Sequence, residues 1–165
     1  MPKSSIRTLP AVFMFALLML AIGCSGTDYA AQLNGVWKIN KAVTLDNIKD
    51  QDTRQGLEMV FKLAEAAGKE DVMNLAFDMK DMMLITSQAK RQGKFTITAS
   101  NGNVLILAAV EDNTFGVPAG KAFMTVTVID DKNISVTPAD GQGPMEKNIA
   151  LFMSKVGDDP STFKP

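Results

Sequence analysis

From residue 73 onward the sequence changes character at every second residue. Met73, Leu75, Phe77 and Met79 alternate with Asn74, Ala76, Asp78 and Lys80. A chain with apolar side chains at every other position buries them together only as a strand, whose side chains point alternately to the two faces of a sheet. Similar short pieces follow: MLITSQ (83–88), KFTITAS (94–100), VLILAAV (104–110), AFMTVTVID (122–130), ISVTP (134–138) and NIALFMSKV (148–156). NGN (101–103) separates two of them, and Asn-Gly accepts the positive φ angles of a tight hairpin turn. DKN (131–133) separates the next pair. With NGVWKIN (34–40) in front, about eight strands are joined by mostly short turns. A mainly β, antiparallel up-and-down meander of that length keeps two exposed edges unless it closes, so a barrel is expected.

A helical period interrupts the series between the first two strands. In DTRQGLEMVFKLAEAAG (52–68), Leu57, Val60, Phe61 and Ala64 recur at i, i+3, i+4 and i+7. Glu58 and Lys62 stand one turn apart on the exposed side, and Gly68 supplies a stop. The shorter TLDNIKD (44–50) adds one turn or two. The spacing predicts a helix over 53–67, packed over one mouth of the barrel through those four apolar residues. The set expected to point inward from the strands is Met73, Phe77, Met79, Phe95, Ile97, Met124, Val126, Ile149, Leu151 and Met153. Its methionines suit an irregular apolar lining, although side chains in such stripes ordinarily fill a core.

The stretch Leu33-Asn34-Gly35-Val36-Trp37-Lys38-Ile39 resembles the G-x-W opening of the calycin group, the lipocalins and fatty-acid-binding proteins. In that group a first-strand Trp caps one end of an up-and-down barrel, and a helical lid between strands one and two is similar to the helical region here. The resemblance covers most of 33–156 and implies a lipocalin-like barrel with an apolar cavity near Trp37 and Phe77, lined also by Met79, Phe95 and Met124. Two departures stand out. No Arg occurs after Arg91, so the last-strand Arg that stacks on the Trp in lipocalins has no counterpart, and no helix is expected after the final strand.

The other end of the chain concerns address. Lys3 and Arg7 precede the apolar run AVFMFALLMLAI (11–22), which ends in Gly23 and the only cysteine, Cys24. That is the layout of a secretory signal peptide, and the run is shorter than the roughly 20 residues a spanning helix needs. Leu20-Ala21-Ile22-Gly23-Cys24 resembles the lipobox of bacterial lipoprotein precursors, with Ala21 where Leu is usual. The resemblance implies removal of residues 1–23, attachment of acyl groups such as palmitate at Cys24, and a membrane-attached protein in the cell envelope. Ser25 after the Cys implies the outer membrane, facing the periplasm. Residues 24–32 then form a lipidated Cys and tether, 33–156 the barrel domain and 157–165 an exposed tail.

Several function classes lose their chemistry. The processed chain, residues 24–165, carries a formal charge of −3 once Lys3 and Arg7 are gone, so no basic surplus exists for nucleic acid. Histidine is absent and Cys24 would be blocked by lipid, which removes Ser-His, Cys-His and Zn-His sites in their usual forms. The acidic doublets Glu70-Asp71, Asp130-Asp131 and Asp158-Asp159 fall at turns or termini. Met79, Met82 and Met83 offer thioethers of the kind that select Cu(I), with no His or free Cys to complete a site. The expectation is a non-catalytic protein with no metal and no cofactor, which either binds a small hydrophobic ligand inside its barrel or meets an envelope protein partner with its core filled.

Overall fold

The computed structural model describes residues 27–69, 72–86, 89–139 and 149–162. Cys24, the apolar leader and Glu70-Asp71 lie outside the described residues. A short helix α1 (Tyr29–Gln32) leads into β1 (Gly35–Ile39), then α2 (Lys41–Asn47) and α3 (Gln51–Ala66). Seven further strands follow: β2 (Met73–Asp78), β3 (Asp81–Thr86), β4 (Lys90–Asn101), β5 (Val104–Ala109), β6 (Ala122–Val128), β7 (Asn133–Pro138) and β8 (Leu151–Gly157). Each strand pairs antiparallel with its sequence neighbour, and β8 pairs with β1, so the sheet closes into an up-and-down barrel of eight strands among the described residues. Closure leaves no edge strand.

Local chemistry fixes the helix starts. The side chain of Asn40 accepts the backbone N–H of Val43 at the head of α2, and that of Asp50 accepts the N–H of Thr53 at the head of α3. Both satisfy donors that the first turn leaves orphaned. The short element expected at 44–50 is α2, and it begins at Lys41 because Asn40 caps earlier than the apolar spacing suggests. Thr44 of α2 is completely buried and ties the helix pair to the barrel. Its hydroxyl accepts the N–H of Phe152 at 3.0 Å and donates to the Phe152 carbonyl at 3.3 Å.

The face that α3 buries is narrower than its sequence period implies. Leu57 and Phe61 are buried, with the Lys41 ammonium 5.9 Å from the Phe61 ring centroid and 2.6 Å from Glu65. Val60, expected on the same face, is instead 46% exposed. Positions 57 and 61 lie one above the other, whereas position 60 sits about 100° away from 61 around a helix of 3.6 residues per turn, and the buried side of the helix is too narrow to reach it.

The interior holds Trp37, Leu75, Phe77, Met82, Phe95, Leu105, Leu107, Val126, Ile134 and Met153 in one cluster. Phe77 meets Phe95 edge to face, with ring centroids 5.7 Å apart, an arrangement the ring quadrupoles favour. The loop between β5 and β6 contributes as well. Val117 is buried in the cluster and Phe115 stacks on Phe123 at 4.3 Å. A Cβ on Gly93 would lie 1.7 Å from Thr114 Cγ2, so the loop can lie against β4 only across a glycine.

Candidate functional site

β1 runs from the end of the barrel that carries α1 to the end that carries α2 and α3, so the two helical layers lie at opposite ends. Trp37 is fully buried, and its Nε1 donates to the Leu33 carbonyl at 2.7 Å. Directly opposite it in register on β8 stands Lys155, whose Nζ lies 5.6 Å from the indole centroid. A last-strand cation therefore does cover the Trp. It is a lysine, which a search for Arg passes over. Gly35 makes this possible: its φ is +127°, and a Cβ there would come within 2.5 Å of the Gly157 carbonyl and of the Lys155 stem. Both the backbone angle and the close approach favour glycine.

The residues proposed to line a ligand site part company in the structure. Trp37 and Phe77 have no solvent-accessible surface at all, and Phe95 is buried beside them. A side chain flanking a water-sized void would show exposed surface, so no void bordering both rings is seen among the described residues. Met124 is half-buried against the core, as are Met73, Ile97 and Leu151. Ile149 is half-buried and precedes β8.

Met79 departs furthest from its expected place. It is 78% exposed, because the chain reverses at Met79-Lys80 and the alternation ends at Asp78. Its φ is 51° and its N–H donates to the Asn34 side chain at 2.8 Å, so the turn is held by a residue of the first-strand motif. The three methionines do not converge. Met82 is buried in the core, its neighbour Met83 stands on the opposite face of β3, and Met79 is on the turn.

A concavity of about 670 Å³ opens beside that turn. β4 continues past the end of β3: its pairing with β3 stops at Lys94, and Lys80 then accepts the N–H of Phe95. Ala30 and Ala31 of α1, Met79, Phe95, Ile97 and Val110 form the apolar walls of the resulting notch, with Lys80 and Lys94 at its rim. Asp28 also borders it, but its carboxylate accepts the Ala31 N–H and caps α1. Neither lysine has a carboxylate within 4.0 Å among the described residues.

At the opposite end, the outer side of α3 presents Met59 (64% exposed), Val60 and Leu63 (64% exposed) as one apolar stripe. Beside it Glu58 and Lys62 pair at 2.8 Å, and their shared hydrogen bond lowers the pKa of the carboxyl and raises that of the ammonium. The acidic doublets within the described residues serve turns. Asp130 accepts from the Asn133 side chain and the Lys132 N–H, which together hold its carboxyl below the usual range. Asp159 is lowered in the same way by Ser161. Among the described residues no cluster of three or more His, Cys, Asp or Glu side chains could hold a metal ion, and no helix is long and apolar enough to cross a membrane.

Sequence reasoning missed Lys155, Lys80 and Lys94, because lysines carry no motif. It misassigned Val60, because helical period alone does not say how wide a face the helix buries. Compared with protein-family models, curated proteins and solved structures, the chain matches none.

Proposed function

We propose that this chain is a lipid-anchored, non-catalytic protein of the bacterial cell envelope, in which a solid lipocalin-like barrel carries an apolar helix face for a protein partner. The observation that carries the reading is the outer side of α3. Met59, Val60 and Leu63 stand in water on a helix whose other side already buries Leu57 and Phe61. Exposed apolar surface gathered on one face marks interaction sites more often than scattered single residues do. The partner is a protein and not the bilayer: a tether beginning at Cys24 enters the barrel at the α1 end, and α3 lies at the other. The filled interior supports the same reading, since a core without space beside Trp37 and Phe77 leaves the outer surface to do the work.

The anchor rests on Leu20 to Cys24 at the end of a short apolar run. Two or more acyl chains hold firmly, at about 0.8 kcal/mol per buried CH₂. Cells fed a fatty-acid analogue should label the wild type and not Cys24→Ala; equal labelling removes the anchor. The docking face is tested by purifying the protein from its own envelope. A partner present in stoichiometric amount with the wild type should be lost from Leu63→Asp at unchanged thermal stability. Retention of that partner by Leu63→Asp and by Met59→Asp refutes the α3 surface.

A further inference from the structure

We propose that the notch beside α1 holds one acyl chain of an anionic phospholipid, with the phosphate at Lys80 and Lys94. Its volume, about 670 Å³, falls within the range of sites that enclose small ligands. Its lining is mainly apolar: the two alanines of α1, Met79, Phe95, Ile97 and Val110, with Asn34 and Thr96 as its uncharged polar members. The Met79 thioether stands exposed at the lip, held there by the Asn34 hydrogen bond to its backbone, and an unbranched flexible side chain adapts to a flexible chain laid against it. The two ammonium groups at the rim have no carboxylate partner among the described residues, and Asp28 is occupied in capping α1. A phosphate at the lysines would meet two ammonium groups that form no ion pair within 4.0 Å among the described residues, while the chain below it displaces water from apolar surface.

Position supplies the source of the ligand. The notch borders Asp28, four residues after Cys24, and four residues span at most about 14 Å when extended. An acyl group at Cys24 would keep the opening close to the headgroups of the membrane. This part rests on the anchored reading; the chemistry of the notch does not.

The test uses the full-length chain, produced in a host that processes it and reconstituted into phosphatidylcholine vesicles containing a trace of phosphatidylglycerol with a diazirine in its acyl chain. After irradiation, adducts are mapped by peptide mass spectrometry. They should concentrate on residues 28–34, 79–80 and 94–97 and fall at least fivefold in Ala31→Trp, which fills the notch from an exposed position on α1. Val110→Trp, at a lining position outside α1, should do the same if the first change disturbs α1. Lys80→Glu combined with Lys94→Glu should abolish the preference for phosphatidylglycerol over a phosphatidylcholine probe of the same chain. Adducts spread evenly over the barrel, or unmoved by both tryptophans, overturn the proposal, and so does protection of the notch by an extended peptide paired along β4 with no lipid labelling. A wild type that takes no fatty acid at Cys24 yet shows the mapped adducts overturns the anchor and leaves the notch standing.

Discussion

Replacing Lys155 by Met isolates the charge that covers Trp37. The methionine keeps an unbranched stem of similar length, so packing against the indole survives while the ammonium is lost. Lys155 is only 18% exposed and its Nζ sits 5.6 Å from the ring centroid. Cation–π contacts are worth about 0.5–1 kcal/mol at the surface and about 2 when desolvated, which places this one near the upper end. The ion pair from Lys155 to Asp158, at 2.8 Å, adds little, because Asp158 is 94% exposed and such pairs contribute about 0–1 kcal/mol. Lys155→Met should therefore cost about 1–2 kcal/mol, and Asp158→Asn less than about 0.5. Urea titration followed by Trp37 emission and, independently, by circular dichroism reads both changes, since Trp37 is the sole tryptophan. Lys155→Arg should retain the stability, because a guanidinium stacks on an aromatic face at least as well as an ammonium. Wild-type stability in Lys155→Met, or an equal loss in Asp158→Asn, would show that the cation over the ring contributes nothing.

Three further outcomes follow from the same structure. Phe61→Ala should destabilise the fold by about 3–5 kcal/mol, because this ring and Leu57 are what α3 buries; a loss near zero in thermal unfolding would mean that the helix is held by Thr44 and the Lys41 contacts alone. Gly35→Ala should cost about 1–3 kcal/mol from its backbone angle, plus the displacement of Lys155, and should shift Trp37 emission; an unchanged midpoint and spectrum would contradict the 2.5 Å approach. Asp130 has its carboxyl lowered by Asn133 and Lys132, so its contribution is complete above the ordinary carboxylate range and disappears as pH falls through the lowered folded-state value. Melting temperatures of wild type and Asp130→Asn should thus differ at neutral pH and converge in acid; a constant gap would refute the turn's role.

The barrel was legible because its signals are local. Alternation in 73–78 and 122–128, the Asn-Gly turn at 101–102 and the Gly35-Val36-Trp37 opening each specify a strand or its reversal without reference to the rest of the chain. A reversal between 73–80 and 83–88 was legible, but its place at Met79-Lys80 was not. Neither residue favours a turn, and its geometry is imposed from Asn34, which is remote in sequence. The same limit hid the cation over Trp37: that Lys155 lies opposite it follows from register, and register across the closing seam is set by all eight strands together. Filled or hollow was equally beyond reach, because an inward stripe of Met and Phe reads the same whether its members touch each other or a guest. The loop carrying Val117 adds a buried side chain to the cluster, and it has no periodicity to announce it.

The seam that closes the barrel joins the first strand to the last, and Val36 pairs with Gly157 beside the points where the two chain ends depart. Tension applied between those ends would not slide β1 along β8, which would load every hydrogen bond of the pair together. It would peel them apart from Val36–Gly157 inward, one bond after another, as a zip opens. The barrel would then yield to modest mechanical force whenever its beginning is fixed and its tail is pulled, whatever its resistance to heat or denaturant.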